Sequence, residues 1–186
     1  MAISTDLTLS CTETNRASVA RIYLSPSCDI TSMTADATTM SFTAITMDST
    51  AKIWYEYEFE FENKSFNSEG AAENGTATFT NTLECKLLGL DKTKLQRLQD
   101  VVNSRKVTAV FETPNSTGTY NQAFVIGWDS ILGKDAYGKA NVNAIIEGNL
   151  DGDNSATLII TAKHAELVRE LVGTITANAG TISFGS

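Results

Sequence analysis

The sequence is poor in several residue types, and each shortage excludes a class of protein. Its three cysteines, Cys11, Cys28 and Cys85, are far apart and form no CxxC pair. Neither a disulfide framework nor a zinc site is therefore encoded, and a reducing cytosol suits these thiols. No apolar run approaches the roughly 20 residues of a membrane helix, and the N-terminus has no basic and apolar leader. We expect a soluble protein made in the cytoplasm, without a signal peptide or membrane anchor.

Basic residues are also scarce, with 14 Lys and Arg against 22 Asp and Glu, a net charge of -8 and a pI near 4.6. This balance argues against a protein that holds nucleic acid through its phosphates. The length of 186 residues and the hydrophobic content of 42% suffice for a sizeable core. We therefore expect a single β-rich domain over residues 1–186.

Recognisable catalytic motifs are missing as well. The sequence contains no GxSxG, no HExxH, no phosphate-binding loop and no dinucleotide-binding glycine motif. The single histidine, His164, has no partner cysteine or serine motif nearby, which is typical of a surface or helix-start residue. We expect a non-enzymatic protein with no catalytic residues, no cofactor and no metal.

The most regular pattern lies between Ile53 and Asn63, IWYEYEFEFEN. Four aromatic residues alternate there with four glutamates, and a period of two indicates a β-strand. The aromatic residues are Tyr55, Tyr57, Phe59 and Phe61, and the glutamates are Glu56, Glu58, Glu60 and Glu62. The aromatic face is predicted to be buried, while the carboxylates face water or a basic partner.

Further strands are predicted on both sides of this stretch. They cover Ser18–Leu24, Thr39–Met47, Ala77–Leu87, Val107–Phe111, Thr119–Trp128, Asn141–Leu150 and Ala156–Thr161. An Asn74-Gly75 turn is expected to lead the Ala77–Leu87 strand back against the aromatic strand. Residues 1–50 hold 19 Ser and Thr and are predicted to form a β region with an arm. The polar connection Ser27–Thr38 within it is either a mobile loop or an arm that orders against a neighbouring subunit. The tail 173–186 is either an ordered arm or frayed.

One helix is predicted from Asp91 to Asn103. Asp91 is a suitable N-cap, and Leu95, Leu98, Val101 and Val102 form an apolar stripe. A short C-terminal helix is predicted over Lys163–Val172. The fold class is thus mainly β: an antiparallel β-sandwich or barrel with one packed helix.

Charge is unevenly distributed along the chain. Lys86–Lys106 carries a net +4, whereas Trp54–Glu73 carries a net -5. Complementary patches on one chain invite pairing between copies, so the basic helix face is predicted to be a subunit interface. Its members are Lys92, Lys94 and Arg97.

The passage TFTNTLECKLLGLDKTKLQRLQDVVNSRKVTAVFE, followed by QAFVIGWDSILG, resembles the virion structural proteins of tailed bacteriophages. It is similar in particular to the tail-tube and tail-ring type, and the similarity covers roughly Trp54 to Leu150. The resemblance implies a β-sandwich with one packed helix, assembled into hexameric or larger rings whose inner sheets line a channel in the virion tail. It also implies contacts with other phage tail or neck proteins, and DNA that passes without specific binding.

If the chain forms such a channel, Glu56, Glu58, Glu60 and Glu62 are predicted to line it. An acidic wall repels phosphates and so favours transit of the genome.

The alternative is a β-sandwich binding module, such as a carbohydrate-binding fibre domain or a capsid decoration domain. In that case Trp54, Trp128 or Tyr120 would be exposed stacking platforms.

Overall fold

The computed structural model describes residues 19–59, 63–73, 76–116, 121–136, 138–146, 154–178 and 180–185. One helix, α1 (Lys92–Asn103), and one 3₁₀ turn, Ser27–Asp29, occur in this part of the chain. The strands are β1 (Ile22–Pro26), β2 (Ile30–Ala35), β3 (Ser41–Met47), β4 (Tyr55–Tyr57), β5 (Lys64–Glu73), β6 (Thr76–Leu88), β7 (Val107–Ser116), β8 (Asn121–Ile126), β9 (Trp128–Asp129), β10 (Lys134–Asp135), β11 (Lys139–Ile146), β12 (Asn154–His164), β13 (Arg169–Leu171), β14 (Gly173–Ala177) and β15 (Gly180–Phe184).

The prediction of a mainly β, sandwich-like fold with one packed helix is confirmed. The helix begins where the sequence indicates, because the Asp91 carboxylate accepts a hydrogen bond from the Lys94 N–H at 2.8 Å. Leu98 and Val101 of its apolar stripe are buried, whereas Leu95 and Val102 remain partly exposed.

The predicted C-terminal helix over Lys163–Val172 is wrong. The chain continues as β12 up to His164 and then forms β13, which pairs with β8 and with β3. Buried side chains alternate along β12 as far as His164, so the period of two extends into the segment that was predicted to be helical. Pairing within the sheet thus decides the structure of this segment.

Two sheets enclose the first core. The seven-stranded sheet has the order β2-β3-β13-β8-β7-β1-β4, and the four-stranded sheet has the order β11-β12-β6-β5. Side chains from both sheets and from α1 meet between them, for example Ile22, Leu83, Leu98 and Leu158. The rings of Phe66 and Phe111 are 4.6 Å apart between centroids and so join the two sheets directly.

A second core covers the opposite face of the seven-stranded sheet. Tyr23 lies between Ile22 and Leu24 in sequence but points to this other side, where it meets Phe184 edge to face. The hairpin of β14 and β15 covers this side. Residues of β1 therefore alternate between two buried environments, which explains its continuous apolar run.

Two segments that the sequence left open are ordered strands. The connection Ser27–Thr38 contains β2, which pairs with β3, so the prediction of a loop or arm is wrong there. The tail forms the β14–β15 hairpin, in which Gly173 pairs with Phe184. Ile30, Met33 and Phe184 from these segments are buried in the second core, and this burial orders them.

Candidate functional site

The structure describes only two residues of the predicted glutamate row, and these two differ in exposure. The ordered strand within Ile53–Asn63 is only β4. Glu56 is 23% exposed and lies 3.8 Å from Arg21 Nε, which is also 3.8 Å from Glu112. Glu58 is exposed, and Glu60 and Glu62 lie outside the described residues. An arginine thus compensates one of the two described carboxylates within the chain.

The aromatic residues of the same stretch are also divided differently from the prediction. Phe59 is buried in the first core as expected, but Tyr55 is 47% exposed. Trp54, on the glutamate side of the alternation, is 1% exposed and belongs to the second core. The prediction failed because it assumed that one face of this stretch is exposed to solvent. β4 is instead the edge strand of a sheet that has a core on each side.

The tryptophans do not form the stacking platforms that a binding module needs. Trp54 and Trp128 are both buried in the second core. Tyr120, the third candidate, lies outside the described residues. Two of the three proposed platforms are therefore unavailable to a ligand.

The basic helix face is partly engaged within the chain. The Lys94 ammonium donates to the carbonyl oxygens of Leu88, at 3.0 Å, and Gly89, at 2.7 Å, and so holds the start of α1 to the end of β6. Lys92 and Arg97 are exposed. Arg97 lines a groove of about 350 Å³ together with Tyr57 and Glu58. The interface role of these three cations stays a prediction. Lys94 already has a structural role, because its ammonium binds carbonyl oxygens of its own chain.

A strand that the sequence did not predict completes the four-stranded sheet. Residues 64–73, for which the sequence predicts no strand, form β5, and the whole of β5 pairs with β6, from Lys64 and Cys85 to Glu73 and Thr76. The aromatic strand therefore does not pair with β6, contrary to the prediction. The length of β6 could have indicated this strand. A long strand that follows an Asn74-Gly75 turn needs a partner strand of similar length on the other side of the turn. The two turn residues themselves lie outside the described residues.

The outer face of the four-stranded sheet is a polar surface formed by all four strands. Small hydroxyl and amide side chains dominate it, and its few charges have both signs. Its members are Ser65, Asn67, Glu69, Thr80, Thr82, Glu84, Lys86, Lys139, Asn141, Asn143, Ile145, Thr157, Ile159, Thr161 and Lys163. Their neighbours along each strand point into the first core, so this face belongs to a rigid, well-packed sheet.

Both edge strands of this sheet are unpaired on their outer sides within the described part of the chain. β5 pairs only with β6, and β11 pairs only with β12. Unpaired edges present a row of backbone donors and acceptors to another strand. They are the sites at which the sheet can be continued by a second chain.

At one end of the molecule, a buried carboxylate organises the loop after β9. Asp129 is fully buried, and it accepts hydrogen bonds from the N–H groups of Ile131, at 2.8 Å, Leu132, at 3.0 Å, and Ala165, at 2.6 Å. This carboxylate ties the 130–132 turn to the chain that follows β12. The loop is consequently fixed by the fold.

A second network lies beside the first. The Arg169 guanidinium makes two hydrogen bonds of 2.8 Å to the Glu166 carboxylate, and Ser130 donates to the same carboxylate through its N–H and its hydroxyl. Arg169 also donates to the Thr39 carbonyl at 3.0 Å. The arginine and the serine contacts together lower the pKa of Glu166, although burial opposes them. Three segments of the chain thus meet at one ion pair.

His164 is buried at this end of β12, with 3% of its surface exposed, so its predicted surface or helix-start position is wrong. Its Nε2 accepts a hydrogen bond from the Gly127 N–H at 3.1 Å. Burial lowers the pKa of His164, whereas the carboxylates of Asp129 and Glu166 oppose this shift. The neutral ring is the form that can accept this hydrogen bond, and the histidine therefore has a structural role.

We expect this histidine to make the protein less stable in mild acid. The folded-state pKa lies below the unfolded value of about 6.5, so the unfolded chain binds the extra proton first and stability falls as the pH drops below about 6.5. Urea unfolding at pH 7.5 and pH 5.5 checks this result. The control is His164→Gln, whose amide oxygen can accept the same hydrogen bond without titrating. The difference between the two pH values should be smaller in the variant, and an equal difference would contradict the assignment.

The described residues contain no group of three His, Cys, Asp or Glu side chains arranged to hold a metal ion. Within the same ranges, no helix has the length and apolar character that crossing a membrane requires. Cys85 is packed in the first core, and this burial raises the pKa of its thiol to about 12. The chain matches no family model, no curated protein and no solved structure.

Proposed function

We propose that this chain is a non-enzymatic virion structural protein that assembles with copies of itself into rings or a tube, forming the channel of a phage tail. The observation that carries the proposal is the four-stranded antiparallel sheet, whose outer face is polar and whose two edges have no partner among the described strands. The resemblance of the segment from Trp54 to Leu150 to tail-tube and tail-ring proteins points the same way. The partners would be further copies, hexameric or larger in number, and other tail or neck proteins.

The strand directions suit a closed ring. Successive strands from β11 to β5 are all antiparallel, and their number is even, so the two edge strands run in opposite directions. Rotation about an axis along the strands would then place β5 of one copy antiparallel to β11 of the next. Such a contact is head-to-tail, and head-to-tail contacts close into rings when the rotation permits.

The same arrangement would turn the outer face of the four-stranded sheet toward the channel. Hydroxyl and amide groups are numerous there, while Glu69 and Glu84 are interspersed with lysines. A wall of this kind offers DNA few clustered cations, and clustered cations are what hold phosphates. The lining role of Glu56, Glu58, Glu60 and Glu62 stays a prediction, but it has less support, because Glu56 is paired with Arg21 at the edge of the other sheet.

Cysteine cross-linking tests the ring directly. Along the ladder, Ser65 is level with Glu84, Glu84 with Ile159, and Ile159 with Asn141, so Ser65 and Asn141 lie at one height on opposite edges. We expect the double variant Ser65→Cys/Asn141→Cys, oxidised after assembly, to give a ladder of covalent oligomers on a non-reducing gel. The ladder should end at the number of subunits in the ring. A second pair with Asn143→Cys tests the register shifted by two residues.

The matched controls are the two single variants, in a background with Cys11 and Cys28 replaced by serine. Each single variant can join at most two chains, so neither should give a ladder. Electron microscopy of the unmodified protein should show rings or tubes. A protein that stays monomeric at all concentrations and binds glycans would instead support the binding module and overturn this proposal.

A further inference from the structure

A pocket of about 240 Å³ opens between the two sheets, beside the edge strand β5. Its apolar wall is a row of three phenyl rings, with centroids 4.6 Å apart between Phe66 and Phe111 and 5.7 Å apart between Phe111 and Phe124. Val168, which precedes β13, also lines it, and Phe66, Phe124 and Val168 are only partly buried. Protein interiors hold few voids larger than a water molecule, so an opening of this size leaves apolar surface without contacts.

The charged residue of this pocket is a lysine on the inner face of a sheet. Among the described residues that line the pocket, only Lys64 carries a charge. Lys64 is the first residue of β5 and lies directly across from Cys85, which is buried in the first core. Residues opposite each other in an antiparallel pair point to the same face, so Lys64 points into the sandwich, as does Phe66 two positions later.

The Lys64 ammonium is only partly satisfied by the protein. It donates a hydrogen bond of 2.7 Å to the Ala20 carbonyl, which joins the start of β5 to the chain before β1. An ammonium group has three N–H donors, so two remain available. Burial lowers the pKa of Lys64, with the nearby Cys85 opposing this shift. The charge is thus partly removed from water, which is costly without a nearby anion.

Carboxylates close by in the fold do not supply that anion. Glu170 lies across from Phe124 in the ladder of β13 and β8, but it is not among the residues that line the pocket. Glu84 is level with Ser65, and both belong to the outer face of the four-stranded sheet. Neither carboxylate affects the pKa of Lys64. The pocket therefore combines an apolar wall with a cation that has no counter-charge in the described chain.

We propose that this pocket binds a small carboxylic acid with an apolar tail, its carboxylate on the Lys64 ammonium and its tail against the rings of Phe66 and Phe124. An ionised carboxylate only accepts hydrogen bonds, so it matches the two free donors and neutralises the charge. One ammonium offsets one negative charge, whereas a phosphate monoester carries about -1.5 to -2 at pH 7. The tail is one aromatic ring or a short acyl chain, because drug-sized ligands occupy pockets of about 300–1,000 Å³.

Two probes that differ only in charge test the site. Phenylbutanoate is the carboxylate probe, and phenylbutanamide is its neutral counterpart with the same ring and chain. Equilibrium dialysis measures both affinities, whether the protein is monomeric or assembled. The unmodified protein should bind the carboxylate at least tenfold more tightly than the amide. Lys64→Met should lower the affinity for the carboxylate at least tenfold and change that for the amide less than twofold, and retained amide binding shows that the pocket of this variant is intact.

Two further variants locate the binding site. Lys163→Met removes an exposed lysine from the outer face of the same sheet and should leave both affinities unchanged. Val168→Phe adds a ring at the pocket wall, in a segment without regular secondary structure, and should weaken both probes at least tenfold by filling the pocket. Thermal unfolding verifies the fold of each variant.

Several results would each overturn the proposal. They are equal binding of the two probes to the unmodified protein, equal losses in Lys64→Met and Lys163→Met, full affinity in Val168→Phe, and no binding of either probe at millimolar concentration. The site is additional to the proposed assembly, because the described residues that line it belong to one copy. Binding without rings would support the pocket and not the channel, and rings without binding would support the channel and overturn the pocket.

Discussion

Replacing Asp129 with alanine is expected to lower the free energy of unfolding by about 3–5 kcal/mol, because three backbone N–H groups lose a shared buried acceptor. The carboxylate is fully buried, and its bonds to Ile131, Leu132 and Ala165 join the turn after β9 to the end of β12. Urea unfolding followed by far-UV circular dichroism measures the loss.

The matched control for this change is Asp36→Ala. Asp36 also accepts two backbone N–H bonds, from Thr38 at 2.6 Å and Thr39 at 3.0 Å, but its loop is exposed. Water replaces the lost acceptor there, so the control should be far less destabilised. Equal losses in the two variants would contradict the role assigned to burial.

The parts of the fold that the sequence predicted well are those governed by local signals. An aspartate N-cap and an apolar stripe at helical spacing located α1, and alternation located β6 and β12 within a few residues. The β5 strand was not predicted, because KSFNSEGAAE has a single aromatic residue and its pairing depends on β6. The period of a strand is local, but its partner is a property of the whole sheet.

The candidate surfaces were harder to predict for the same reason. Alternation in the glutamate stretch correctly separates two faces, but it cannot state how many layers cover the strand, and here both faces meet a core. The sequence predicts an available cation at Lys94, but in the structure its ammonium donates to two carbonyl groups at and just after the end of β6.

The last prediction compares two adjacent residues that the alternation assigns to opposite faces. Trp54→Ala is expected to destabilise the protein by about 3–5 kcal/mol, the usual cost of removing a large buried aromatic side chain. The indole is 1% exposed in the second core, and the cavity would lie between the seven-stranded sheet and the β14–β15 hairpin. The Trp54 N–H bond to the Thr176 carbonyl, at 2.9 Å, involves only backbone and survives the change.

Tyr55→Ala is the matched control, since it removes a comparably large aromatic side chain at the next position in the chain, the first residue of β4. Its side chain is 47% exposed, so we expect a loss below about 1 kcal/mol. Far-UV circular dichroism should follow both unfolding curves, because Trp54→Ala removes one of the two tryptophan fluorophores. If Tyr55→Ala were the more damaging change, the aromatic row would be the buried face after all, and the second core would not be what holds this edge of the sheet.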